Sequence, residues 1–320
     1  MSAGGGAPPP LPRALLHPRY WPTWIAVGAV SLAAFVPRIV RDGIAAAIGE
    51  LRYHANARRR DTVALNLRYC FPGWTEARRR AVARAHFRAY ARSAADHAVL
   101  WWDLRRRVPE RLCEITGLEH VLAIRRTGRS VILLTPHTAA VDFGGIALTP
   151  YVTLSTMANT LRNPVLDWLV QRTRSAGYGV RVFDRRGGLR PVVRALRAGT
   201  VFYYMPDEDL GARDSVFAPF FGHPKATLTT LGRLAGMADA AVVPMYPYYE
   251  PHRRRYRIEL LPPLDDFPSG DARRDACTMN EALERCIALA PEQYMWNYRL
   301  FRSRPDGSKN RYPSRGGRWH

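Results

Sequence analysis

Between residues 130 and 261, short runs rich in β-branched and aromatic residues alternate with stretches of helical period. The runs are SVILLT (130–135), YVTLST (151–156), VRVF (180–183), TVFYYM (200–205), AVVPMY (241–246) and YRIELL (256–261). Between them lie PVLDWLVQRTR, LRPVVRALRAG and TLTTLGRLAG, the last two ending on the glycine that often closes a helix. A chain patterned in this way has few folds open to it. Strands that alternate with helices bury both faces of one sheet, so the expectation is an α/β fold with a central, mostly parallel sheet flanked by helices. Upstream, Thr75 is placed to cap a long helix in which apolar residues recur about every fourth position from Val82 to Val99. Downstream, RRDACTMNEALERCIALA and PEQYMWNYRLF read as closing helices. No internal repeat is present.

The first run leads into TPHTAAVDFGG (135–145), which carries His137 and Asp142. On one unbroken helix a spacing of five leaves two side chains about 140° apart, so the pair cannot cooperate there. Pro136, however, holds Thr135 extended and keeps the strand from continuing as helix. His137 then occupies the strand-to-helix turn with Asp142 one turn further on, and the carboxylate can fold back onto the imidazole. Ligands of open α/β sheets bind at such strand ends. A histidine held by a carboxylate is a general base for a hydroxyl. Both residues also occur in ordinary turns and caps.

The charge is +21, with 48 basic residues against 27 acidic ones. Only Lys225 and Lys309 of the basic residues are lysines, a skew that a GC-rich genome produces by itself. The excess still favours acidic partners, anionic lipid or nucleic acid. Cys70, Cys113, Cys277 and Cys286 lack metal or redox spacing and fit a reducing compartment. Trp21 to Val36 is free of charge, with tryptophans at one end and Pro37–Arg38 at the other. It is shorter than the roughly 20 residues of a comfortable span. A basic amphipathic stretch follows, suited to the head-group layer. These features divide the chain into a disordered N-terminus (1–19), a membrane anchor with a basic interfacial helix (20–60), a main domain (61–307) and a loose basic tail (308–320). Cations flanking the apolar run place the main domain in the cytoplasm. A buried core helix is the other reading of that run.

HTAAVD also resembles the H-x4-D/E motif of the lysophospholipid-acyltransferase-like superfamily. Further blocks are similar, in order, to the late acyltransferases of lipid A biosynthesis: NLRYCFPGWTEARRR, AHFRAYARSAAD before WW, GLEH, LRNPVLDW, ALRAGTVFYYMPDEDLGARDSVFAPFFG, LGRLAG before AVVPMYP, and APEQYMWNYRLFRSRPDG. They cover about residues 20–307. Asp142 stands where many members carry glutamate, and so does Asp96. The resemblance implies a glycerolipid-acyltransferase-like fold at the cytoplasmic face of a bacterial inner membrane. It further implies acyl carrier protein as donor, a lipid A precursor as acceptor, and neither cofactor nor metal. His137 would be the base and Asp142 its orienting carboxylate, with no serine or cysteine nucleophile. Arg162 with Asn163 resembles the acceptor-side motif, and the family's arginine falls on Arg172 or Arg174. Asp207 and Asp209 end the TVFYYM run and either serve the substrate or cap a turn. MPDEDLGARDS stands where glycerolipid members carry an FPEGTRS-like block, which favours a glycolipid acceptor over a glycerol phosphate. Other glycolipid or phospholipid acceptors are the nearest rival. A basic nucleic-acid-binding protein is a rival of another class, without any recognition motif to support it.

Overall fold

The structure, a computed structural model, describes residues 10–103, 107–308 and 312. The N-terminal third is helical. It comprises α1 (Trp21–Leu32), α2 (Arg38–Ala55), α3 (Ala57–Cys70), the long α4 (Glu76–Trp101) and the short α5 (Val108–Leu112). Thr75 caps α4 as its side chain predicts, accepting from Arg78 N–H at 3.2 Å.

A seven-stranded sheet follows. In chain order its elements are β1 (Cys113–Thr116), α6 (Leu118–Arg126), β2 (Ser130–Leu134), α7 (Val141–Leu148), β3 (Leu154–Ala158), α8 (Pro164–Gln171), β4 (Arg181–Asp184), α9 (Arg190–Arg197) and β5 (Val201–Tyr204). A two-stranded hairpin of β6 (Ser215–Phe220) and β7 (His223–Leu228) interrupts the alternation. The chain then returns through α10 (Thr230–Ala238), β8 (Ala240–Glu250), β9 (Arg255–Leu260) and α11 (Ala272–Leu289). Strand order is β1-β9-β8-β2-β5-β3-β4, parallel throughout except for the β8–β9 pair. The expected α/β class with a mostly parallel sheet is therefore the fold.

Both faces of the sheet are buried, and the pleat sorts its side chains between them. Ile132, Leu134, Phe202 and Val242 face α3, α9, α10 and α11. Val131, Leu133, Val201, Tyr203 and Val243 face α5, α6 and α7. The segment 20–60 joins this body. Asp96, wholly buried on α4, ion-pairs with Arg38 and Arg41 of α2 at 3.1 and 3.0 Å and accepts from the Tyr256 hydroxyl at 2.5 Å.

The charge-free run is as short as its sequence implies, and three other sequence expectations change. The charge-free run folds as the 12-residue α1 plus a 3-10 turn (Ala33–Phe35), and among the described residues no helix is long and apolar enough to cross a membrane. At 1.5 Å per residue α1 reaches about 18 Å, against a hydrocarbon core of about 30 Å. Part of the N-terminus expected to be disordered forms short 3-10 turns, Arg13–Leu16 and Pro18–Tyr20, with the Leu15 carbonyl accepting from Trp24 Nε1 at 2.8 Å; residues 1–9 lie outside the described ones. PEQYMWNYRLF is no helix: only Pro291–Gln293 turns, because the following backbone pairs with the His137 loop and buries Tyr294 and Trp296. Of the tail, Tyr312 is buried and its hydroxyl donates to Asn66 Oδ1 at 2.5 Å, while most of the rest lies outside the described residues.

Candidate active site

β2 and β5 are parallel neighbours in register, Leu134 opposite Tyr204. Each strand ends in the same way, with one residue, then a proline, then a polar side chain: Thr135-Pro136-His137 and Met205-Pro206-Asp207. Equal offsets from a shared register bring His137 and Asp207 face to face. The Asp207 carboxylate takes the His137 backbone N–H on Oδ2 at 2.9 Å and the ring on Oδ1 at 2.5 Å. A carboxylate only accepts, so Nδ1 carries a proton, and in the neutral ring Nε2 is the nitrogen with the lone pair. That ring lines a groove of about 860 Å³, and among the described residues Nε2 has no protein partner.

The loop is held by the segment that follows α11. Met295 N–H donates to the His137 carbonyl at 3.0 Å and Ala139 N–H to the Gln293 carbonyl at 2.9 Å. Thr138 Oγ1 donates to the Pro247 carbonyl at 2.9 Å. Tyr298 packs edge-on to the imidazole, ring centroids 5.3 Å apart.

Burial disfavours the His137 imidazolium, but the Asp207 charge and hydrogen bond outweigh it and raise the pKa above the ordinary histidine value. Burial pushes Asp207 upward in turn, and the His137 charge, its two hydrogen bonds and the nearby Lys225 bring it below the usual carboxylate range. The Lys225 ammonium is itself wholly buried, and burial holds its pKa down.

Asp142 does not orient His137. It is the second residue of α7, and its carboxylate turns toward other elements. Arg174 donates to Oδ1 from Nε at 2.8 Å and ion-pairs with the same oxygen through Nη2 at 2.7 Å, while His97 of α4 meets Oδ2 through Nε2 at 3.0 Å. His97 Nδ1 lies 2.6 Å from the Ser93 carbonyl. Both partners of that ring are acceptors, so His97 must carry both protons. Its pKa agrees: burial lowers it, and the Asp142 hydrogen bond and charge raise it further, leaving it above the ordinary value. Arg174 and His97 together keep Asp142 ionised well below the usual carboxylate range, against the burial that would raise it.

The other expected site residues separate cleanly. Arg174, with Asp142, lines the groove, carried there by a π-helical turn (Arg172–Gly177) that follows α8. Arg172 is not among the groove residues; its guanidinium lies 5.8 Å from the Trp168 ring centroid. Arg162 is exposed and also outside the lining. Asn163 spends its side chain as the α8 cap, accepting from Val165 and Leu166 N–H at 3.0 and 3.3 Å, and ties α8 to α1 by donating to Thr23 Oγ1 at 2.9 Å. Asp209 closes a turn, accepting from Ser303 N–H at 2.6 Å, Ser303 Oγ at 2.8 Å and Gly211 N–H at 3.0 Å. Sequence reasoning missed His97, Tyr298 and the groove's Arg185, Arg213 and Arg233. The matching T-P-H and M-P-D strand ends were a signal for the His137–Asp207 pair.

The groove lining mixes two chemistries. Val141, Ile146, Leu154, Val170 and Val180 supply apolar surface, and Arg185, Arg213 and Arg233 supply cations. An imidazole held by a carboxylate at a strand-end crevice, with apolar and cationic side chains in the lining, has the chemistry to bind an amphiphile and to exchange a proton with it. The chain belongs to the bacterial lipid A biosynthesis acyltransferase family, which matches residues 9–303. It is 37% identical over 293 residues to a lipid A biosynthesis acyltransferase of Haemophilus influenzae, covering 91% of each chain. It is 34% identical to the lipid A biosynthesis lauroyltransferase of Escherichia coli, covering 95% of this chain and 99% of that one. The myristoyltransferase of the same organism is 33% identical over 95% of this chain and 94% of its own. The chain is thus an acyltransferase of lipid A biosynthesis.

Proposed function

We propose that the enzyme moves a fatty acyl chain from acyl carrier protein to a hydroxyl of a lipid A precursor of the Kdo-lipid IVA type. His137 Nε2 takes the hydroxyl proton as that oxygen attacks the thioester carbonyl. Asp207 holds the ring in the working tautomer and steadies the imidazolium, the part a triad aspartate plays. Collapse of the tetrahedral intermediate breaks the carbon–sulfur bond, and the departing thiolate takes the proton back from His137. The observation that carries this reading is the His137–Asp207 pair with its unpartnered Nε2 on the groove wall.

Arg174 has Nη1 left over after its two contacts with Asp142, and it supplies a donor for the oxyanion or an acceptor phosphate. Arg185, Arg213 and Arg233 suit the phosphates and acidic sugars of the acceptor, and the apolar wall suits the acyl chain. The excess positive charge favours docking of an acidic carrier protein. Trp21, Ile25, Leu32 and Phe35, continued by Ile39, Ile44 and Ile48 on α2, leave a broad apolar face exposed. α1 contacts α8 through Thr23–Asn163 and a Trp24–Trp168 edge contact at 6.1 Å. In turn α8 lends Asp167, Val170 and Gln171 to the groove lining, so one helix links the groove to the element that carries that face. Lying in the head-group layer, that face would set the groove at the cytoplasmic side of the inner membrane.

The test is incubation of the purified chain with acyl-loaded carrier protein and a tetra-acylated glucosamine disaccharide acceptor bearing Kdo, read by mass spectrometry. One added acyl mass on the acceptor is expected. Acylation of lysophosphatidic acid in its place would move the enzyme to a glycerolipid acceptor.

A further inference from the structure

A second cavity, of about 580 Å³, shares no lining residue with the groove and lies between the 3-10 turn after α1, the start of α2, the end of α4 and α5. Four of its lining residues are arginines: Arg38, Arg41, Arg107 and Arg111. Two carboxylates stand near them, and both are engaged. Asp96 is shared by Arg38 and Arg41. Asp103 accepts from Arg107 and Val108 N–H at 2.9 and 2.7 Å and from the Tyr178 hydroxyl at 2.7 Å. Among the described residues the Arg107 and Arg111 guanidiniums have no ion pair, and Arg38 Nη1 is buried without a hydrogen-bond partner. Four guanidiniums against two carboxylates leave the cavity short of negative charge. A buried N–H donor left unmet costs free energy unless a ligand meets it.

The rim is apolar. Phe35 is 79% exposed and Trp102 53% exposed, and Phe35 continues the bare face of α1 and α2. A ligand that suits both features carries an anionic oxygen cluster at one end and hydrocarbon at the other. We infer that this cavity binds the phosphodiester head group of an anionic bilayer phospholipid, with its acyl chains along the apolar face. The head group would meet Arg107 and Arg111, which pair with phosphate oxygens in the planar forked geometry guanidiniums favour. The site fixes how the enzyme sits on the bilayer and takes no part in the chemistry of the groove. It rests on the membrane placement proposed above.

The test uses the full chain and extruded vesicles of phosphatidylglycerol or phosphatidylcholine, with co-sedimentation as readout. Wild-type protein is expected to prefer phosphatidylglycerol. Arg107→Gln with Arg111→Gln should weaken binding to those vesicles roughly 30-fold, as for two cations lost at an anionic surface. Arg273→Gln with Arg274→Gln, an exposed pair on α11, removes the same charge elsewhere and should bind as wild type. Melting temperature and turnover on micelle-dispersed acceptor should be unchanged in both double variants. Short-chain phosphatidylglycerol should displace the protein at concentrations where inorganic phosphate does not. Equal loss in the two double variants, equal binding to the two lipids, or equal competition by inorganic phosphate would overturn the head-group site while leaving the membrane placement standing. Failure of wild-type protein to bind any vesicle would remove both.

Discussion

Asp207→Asn is the most direct test of the site, because the two hydrogen bonds on that carboxylate dictate the outcome. Asp207 accepts from two donors, the His137 backbone N–H and ring Nδ1–H, and asparagine has only one acceptor atom. The backbone N–H cannot change its tautomer, so the amide oxygen goes to it. The amide NH₂ then faces Nδ1, which must give up its proton, and Nε2 becomes protonated. The ring survives in place but has lost its basic lone pair toward the groove. For an equivalent aspartate-to-asparagine change in a serine protease triad the loss is roughly 10⁴-fold in kcat, about 5 kcal/mol, and a comparable fall is expected here. The assay is acyl transfer from loaded carrier protein, with thermal melting to show that the variant is folded.

The pH profile supplies a second reading of the same pair. Wild-type kcat should rise with pH through a His137 pKa above the ordinary value of 6.5, since the neutral ring is the active form. Stability runs the other way. A folded-state pKa raised above the unfolded one contributes stability that is complete below the unfolded value and is lost as pH rises through the folded one. In Asp207→Asn both dependences should move to lower pH. If Asp207→Asn keeps activity within tenfold of wild type while Asp142→Asn abolishes it, the base is not oriented by Asp207 and the reasoning fails.

His97→Gln should lower kcat about 10- to 100-fold with the fold retained, because Asp142 loses one charge-assisted hydrogen bond and its hold on Arg174 loosens. An unchanged kcat would make His97 a packing residue only. Gly144→Ala should destabilise the chain by about 1–3 kcal/mol in denaturant unfolding, an overpacking effect. The added Cβ would lie 2.6 Å from Pro247 Cγ and 3.0 Å from the Tyr203 hydroxyl, where α7 crosses the sheet. A midpoint equal to wild type would show that this crossing has room to spare.

The sequence by itself determined the class of fold and one half of the site. Alternation of β-branched runs with helical periods is a local pattern, and each of the six runs contains or overlaps a strand of the central sheet. The Thr135-Pro136-His137 turn is local too, since proline acts on its immediate neighbour. Where local rules met long-range ones, the long-range ones prevailed. PEQYMWNYRLF has a helical look, yet its backbone donors and acceptors went to the His137 loop, over 150 residues earlier in the chain. The β6–β7 hairpin lay hidden in a block that spacing alone could not resolve, turning at Phe221, whose φ is 48°, and Gly222.

The partner of His137 was decided by tertiary structure. Asp142 is near in sequence, but α7 carries it toward α4 and the π-turn, where two cations claim its oxygens. Asp207 is seventy residues away, and it arrives because β2 and β5 lie side by side in register and end on the same pattern. Sequence fixes which residue types are available at a strand end. Which two strand ends meet depends on the order of strands in the sheet, and that order follows from how all the helices cover its two faces at once.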